Sequence, residues 1–101
     1  MEQNAVNNKI AGLRNMLWQM EVEFGLEKLS QPQKDVFYAA CLAADDNQLV
    51  HSDTVKRHPI LSLMSRPTFY RALKELVEKD LMISEGPRKD GRYLVNARSP
   101  L

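Results

Sequence analysis

The chain is 101 residues long, 44% apolar and 27% charged, which bounds it to one small domain with a single modest core. No apolar run approaches the ~18 residues of a membrane span, the polar start MEQNAVNNK is no secretory signal, and a single cysteine, Cys41, excludes an internal disulfide framework and fits a reducing cytoplasm. Net charge is only +1, yet residues 1–50 carry four Lys/Arg against seven Asp/Glu and residues 51–101 carry ten against six, so an anionic partner is to be sought for the second half.

Val6, Ile10, Leu13, Leu17, Met20 and Phe24 recur at alternating spacings of four and three. That is one stripe of an amphipathic helix, and it ends near Gly25. Ser30 reads as an N-cap with Pro32 in the first turn behind it, opening a second helix through Ala44 that turns Val36, Phe37, Ala40, Cys41 and Ala44 inward. Asp45-Asp46-Asn47 stops it, and Gln48–His51 is a short extended segment. Ser52 is the expected cap of a third helix, ended or bent by Pro59. A fourth helix starts at Ser62 or Ser65 and stops at Asp80. Leu81–Ser84 and Tyr93–Val95 read as strands joined by the charged loop Glu85–Arg92, with turn signals at Gly86-Pro87 and Asp90-Gly91.

That order predicts a mainly α fold with a small β-hairpin: a winged helix-turn-helix over residues 29–98, with an added N-terminal helix over residues 1–28. The fourth helix has two faces. Placing Arg66 at zero and stepping ~100° per residue, Pro67, Tyr70, Arg71 and Lys74 occupy one arc of roughly 40–140°, while Phe69, Leu73 and Leu76 lie on the other side of the helix. The apolar arc suits a core. The polar arc, with Ser65 and Thr68 at the helix start, offers donors that suit base edges and phosphates. Arg88, Lys89 and Arg92 project from the loop at the tip of the expected hairpin.

The stretches LSQPQKDVFYAA, SRPTFYRALKELVEKDLMI and GPRKDGRYLV resemble the DNA-binding lobe of MarR-type transcriptional regulators over about residues 29–97. Ser65-x-Pro67-Thr68, Leu73-x-x-Leu76 followed by Leu81, and Asp90-x-Arg92 carry the resemblance most specifically. It implies a cytoplasmic dimer on a pseudo-palindromic operator. The recognition helix, about 65–79, would lie in the major groove. The wing, 85–92, would lie at the minor groove, its Arg92 steered by Asp90. MarR regulators carry further C-terminal dimerisation helices, which this sequence lacks, so the N-terminal helix is expected to supply the homodimer interface through Ile10, Leu13, Leu17, Met20 and Phe24. The alternative for that stripe is packing on its own domain.

Blander readings stand beside these. The basic helix face fits an ordinary solvated surface with Arg71/Glu75 and Lys74/Glu78 pairs. Cys41 fits a small buried hydrophobe, and His51 and His58 lack the partners of a metal site. No nucleophile–base motif or phosphate-binding glycine loop occurs, so neither an enzyme nor a cofactor or metal is expected. The expected function is sequence-specific binding of double-stranded DNA by a transcriptional regulator. A winged helix that docks a protein, and a replication or partition protein that binds DNA, are the alternatives; no small-molecule effector is legible.

Overall fold

The computed structural model describes residues 2–85 and 90–96. It is mainly helical, with one small antiparallel sheet of three strands. The chain divides into two compact units after Leu29.

The first unit is one helix, α1 (Glu2–Glu23), followed by a 3₁₀ turn over Leu26–Lys28. Gly25 sits between them at φ +75°, a left-handed conformation that a residue without Cβ adopts at little cost. The helix stops just before Phe24, so the last member of the expected stripe lies beyond it, half-buried. The rest of the stripe faces solvent: Ile10 is 59% and Leu13 58% exposed, and Leu17 and Met20 are exposed as well. Met16, Trp18 and Val22 add exposed apolar area away from the stripe.

The second unit starts at Ser30, which caps α2 (Gln31–Ala43). Its hydroxyl accepts from the Gln33 N–H, while the Gln33 side chain accepts from the Ser30 N–H, a reciprocal capping box. Val36, Phe37, Ala39 and Ala40 are buried; Cys41 and Ala44 are half-buried rather than inward. Asp45 then closes the turn, its Oδ1 accepting from the N–H groups of Asn47 (2.8 Å) and Leu49 (2.9 Å). β1 (Leu49–His51) runs directly into α3 (Ser52–Lys56), and a 3₁₀ turn over Pro59–Leu61 leads to α4 (Arg66–Glu78).

The expected Ser52 cap is corrected here. His51 is the N-cap of α3, its Nδ1 accepting from the Asp53 N–H at 3.1 Å. Ser52 is buried inside the helix, and its N–H donates to the Gly91 carbonyl at 2.7 Å. At the far end of α4, Asp80 itself takes the left-handed conformation, φ +62°, where glycine is more usual.

β2 (Met82–Ser84) and β3 (Arg92–Val95) pair antiparallel, with Met82 opposite Val95 and Ser84 opposite Tyr93. β3 also pairs with β1, Leu49 opposite Leu94 and His51 opposite Arg92, so the strand order is β1-β3-β2. The expected hairpin is therefore two thirds of a sheet that also fastens the end of α2 and the start of α3. The core of this unit gathers Val36, Phe37, Val55, Leu61, Phe69, Leu76, Met82 and Val95, all nearly inaccessible to solvent. Burying side chains of this size contributes about 1.5–3 kcal/mol each, and it is what holds α4 against the rest.

Candidate nucleic-acid interface

α4 is capped by Ser65, whose hydroxyl accepts from the Thr68 N–H at 3.3 Å and donates to Thr68 Oγ1 at 2.8 Å. Pro67 fits the first turn because the N–H it lacks has no partner there. Phe69, Ala72, Leu73 and Leu76 are buried; Arg66, Pro67, Tyr70, Arg71 and Lys74 are exposed on the other side. The two arcs read from the sequence are thus the two faces of the folded helix. Ser65 and Thr68 differ from the rest, since their hydroxyls are already engaged with each other and Thr68 is half-buried.

Among the described residues, no ion pair joins Arg71 to Glu75 or Lys74 to Glu78. The exposed cations of α4 are not neutralised along their own helix. Arg66 instead lies over the Tyr70 ring, its guanidinium carbon 5.4 Å from the ring centroid. Lys56, at the end of α3, brings its Nζ to 5.8 Å from the same ring. Sequence inspection missed Lys56. Nine residues, a 3₁₀ turn among them, separate it from Arg66, and no local spacing relates the two.

Tyr93 of β3 is half-buried. Burial, and then the Tyr70 phenol, hold its own hydroxyl above the usual tyrosine range, so it stays neutral. At the Tyr70 ring one surface therefore collects side chains from α3 and α4.

Around the turn into β3, Asp90 and Arg92 form a two-pronged pair: Asp90 Oδ2 accepts from Arg92 Nη2 at 2.9 Å and Nε at 3.1 Å, while Oδ1 accepts from the Arg92 N–H. The hydrogen bonds from Arg92 hold the Asp90 carboxyl below its ordinary range, and Asp90 holds the Arg92 guanidinium above its own. His51 buttresses this turn. Because its Nδ1 is an acceptor at the α3 cap, its Nε2 carries the proton and donates to the Asp90 carbonyl at 3.0 Å. Gly91 sits at φ +88°, and a Cβ there would lie 2.8 Å from the His51 ring, so both conformation and space require glycine. Arg88 and Lys89 lie outside the described residues.

A second surface adjoins the start of α4. Asp35, Ile60, Leu63, Met64, Ser65 and Thr68 line an open groove of about 510 Å³. Leu63 is 99% exposed, in a turn closed by hydrogen bonds from the Ser62 N–H to Pro59 and from the Met64 N–H to Leu61. Cys41 is half-buried, and burial pushes its thiol above the ordinary range, away from thiolate chemistry. No described helix is long and apolar enough to cross a membrane.

Comparison with known proteins leaves these surfaces to speak for themselves: no family model, no curated protein and no solved structure matches the chain.

Proposed function

We propose that the chain is a winged-helix protein that binds double-stranded DNA, a MarR-like transcriptional regulator acting in the cytoplasm rather than an enzyme. The observation that carries this is α4, whose apolar face is buried while Arg66, Tyr70, Arg71 and Lys74 stand exposed without carboxylate partners among the described residues. A helix presented in this way supplies donors to the major groove, and Arg92 at the turn beside β3 supplies a cation to the neighbouring backbone or minor groove. The two-pronged Asp90 contact fixes the direction in which Arg92 points, which suits a narrow groove that attracts cations by its potential. The exposed stripe of α1 supports a homodimer joined through Ile10, Leu13, Leu17 and Met20, and a two-fold dimer matches a palindromic site.

The test is an electrophoretic shift on random genomic fragments across a salt series, with Arg66→Ala and Arg71→Ala beside the wild type. A cation that reads a base should cost about 1–3 kcal/mol on the preferred fragment only, and one that holds phosphate should weaken all fragments alike. Unchanged affinity in both variants, with the helical signal intact, removes α4 from the duplex.

One observation favours a second reading, a winged helix that docks a protein. Ile60 and the fully exposed Leu63 border the groove at the start of α4, and apolar side chains of this kind mark protein contacts when they form a continuous patch. A Leu63→Ser variant that binds DNA as the wild type does leaves the groove free for such a partner.

A further inference from the structure

Arg66, the first residue of α4, lies where a side chain can reach either a base edge or a phosphate. Its surroundings decide between them. Its guanidinium is stacked over the Tyr70 ring, and the Lys56 ammonium approaches that ring as well. The ring is itself fixed. It meets the buried Phe69 ring edge-on at 5.0 Å, so the core of the second unit holds the platform on which both cations rest. Neither Lys56 nor Arg66 has a carboxylate at ion-pair distance among the described residues.

Two like charges gathered on one aromatic ring repel each other. The electron-rich face offsets part of that repulsion, and an anion offsets the rest. An arginine lying on a ring keeps the edge of its guanidinium free to donate but loses the freedom to swing along the groove.

We propose that Lys56, Tyr70 and Arg66 form one phosphate-holding cluster for the backbone of duplex DNA, with Tyr70 as the platform that positions the two cations. Lys56, from outside the recognition helix, is a DNA-binding residue, and Arg66 is an anchor rather than a base reader. This rests on the DNA-binding reading above. Base discrimination along α4 then falls to Arg71 and Lys74, which lie further into the helix. Because phosphates carry no sequence information, the cluster sets affinity, register and salt dependence and leaves sequence choice untouched.

The experiment measures anisotropy of a labelled duplex recovered as the preferred genomic fragment, and of a scrambled duplex, each over a salt series. The proteins are the full chain and its Lys56→Gln, Arg66→Gln, Tyr70→Phe and Tyr70→Leu variants. Lys79→Gln, the same charge change at the other end of α4, serves as control. Lys56→Gln and Arg66→Gln should each reduce the slope of log affinity against log salt by about 1. Each should weaken both duplexes by the same factor, so that the ratio between them stays as in the wild type.

Tyr70→Phe keeps the ring and should keep the wild-type salt slope whatever the lost hydroxyl costs in affinity, whereas Tyr70→Leu should lose slope as the cation variants do. Lys79→Gln should change nothing. Circular dichroism checks that each variant is folded. A Lys56→Gln protein with wild-type slope on a duplex that the wild type binds overturns the cluster and leaves DNA binding standing. An Arg66→Gln protein that loses affinity for the preferred duplex alone makes Arg66 a base reader and overturns the assignment in the same way. Failure of the wild type to bind any duplex overturns the proposed function itself, and the cluster with it.

Discussion

α1 and α4 carry apolar stripes of the same periodicity and meet opposite fates. In α4, Phe69, Leu73 and Leu76 vanish into the core of their own unit; in α1, Ile10, Leu13, Leu17 and Met20 face solvent along the helix. The lengths differ too: α4 has 13 residues and α1 has 22. In either helix, most of the stability comes from packing an amphipathic face and not from the helix's own hydrogen bonds. Periodicity states which face seeks burial. It does not state what covers it. For α4 the cover is α2 and β2 of the same chain, and for α1 the proposed cover is a second copy.

The sharpest way to break this comparison is to place one substitution on both helices. Leu73→Asp puts a carboxylate at a buried site with no partner, one of the few changes that costs several kcal/mol, and the second unit should unfold. Leu17→Asp touches an exposed position, so the urea midpoint of the second unit should stay as in the wild type. Its effect should appear in sedimentation instead: a mass near twice 11.6 kDa for the wild type and near 11.6 kDa for the variant. Equal losses of stability in the two variants would mean that α1 belongs to the folding unit as α4 does. A wild type that sediments at 11.6 kDa removes the second copy.

Glycine replacements sharpen the same contrast, with opposite signs. Gly91→Ala forces a Cβ against the His51 ring at a positive φ and should destabilise the second unit by about 1–3 kcal/mol, read from urea denaturation. Gly12 lies within α1 with nothing within 4 Å of an added Cβ, so Gly12→Ala should raise helicity and stabilise α1 by about 0.5–1 kcal/mol. A destabilising Gly12→Ala would reveal a close neighbour on α1.

The smallest expected effect lies at the Asp90–Arg92 pair. The Asp90 carboxyl is held below its ordinary value, chiefly by hydrogen bonds from Arg92, so the stability it contributes is present above the ordinary carboxylate pKa of about 3.9 and is lost as pH falls through the lower folded value. Arg92→Ala removes the side-chain bonds but keeps the backbone N–H of residue 92, so the Asp90 titration, followed by carboxyl carbon NMR, should rise towards the ordinary range and that acid limb should shrink. A titration that stays low in the variant would assign the shift to the turn backbone instead of the guanidinium.

Much of this molecule could be read from local sequence. Ser30 was legible as a cap because a cap is a side chain reaching three residues along its own chain, and Pro32 marked the same start; for α4 the sequence left Ser62 and Ser65 open, and the fold uses Ser65. The two faces of α4 followed from the helical repeat alone, and the positive φ of Gly91 followed from a turn that demands it. Tertiary structure decided the rest. Ser52 has the better side chain for a cap, but its N–H is taken by Gly91 and it is buried, so the cap passes to His51, whose Nε2 is tied to Asp90 from 39 residues away. Gln48–His51 was legible as a short extended segment, but its place in the sheet came only from β3 beside it, since the hairpin was expected to have two strands. Lys56 joins Arg66 and Tyr70 only after α3 and α4 have packed. The physical reason is common to all three: periodicity and capping are settled within one or two turns of chain, whereas these contacts form between segments whose separation no local preference encodes.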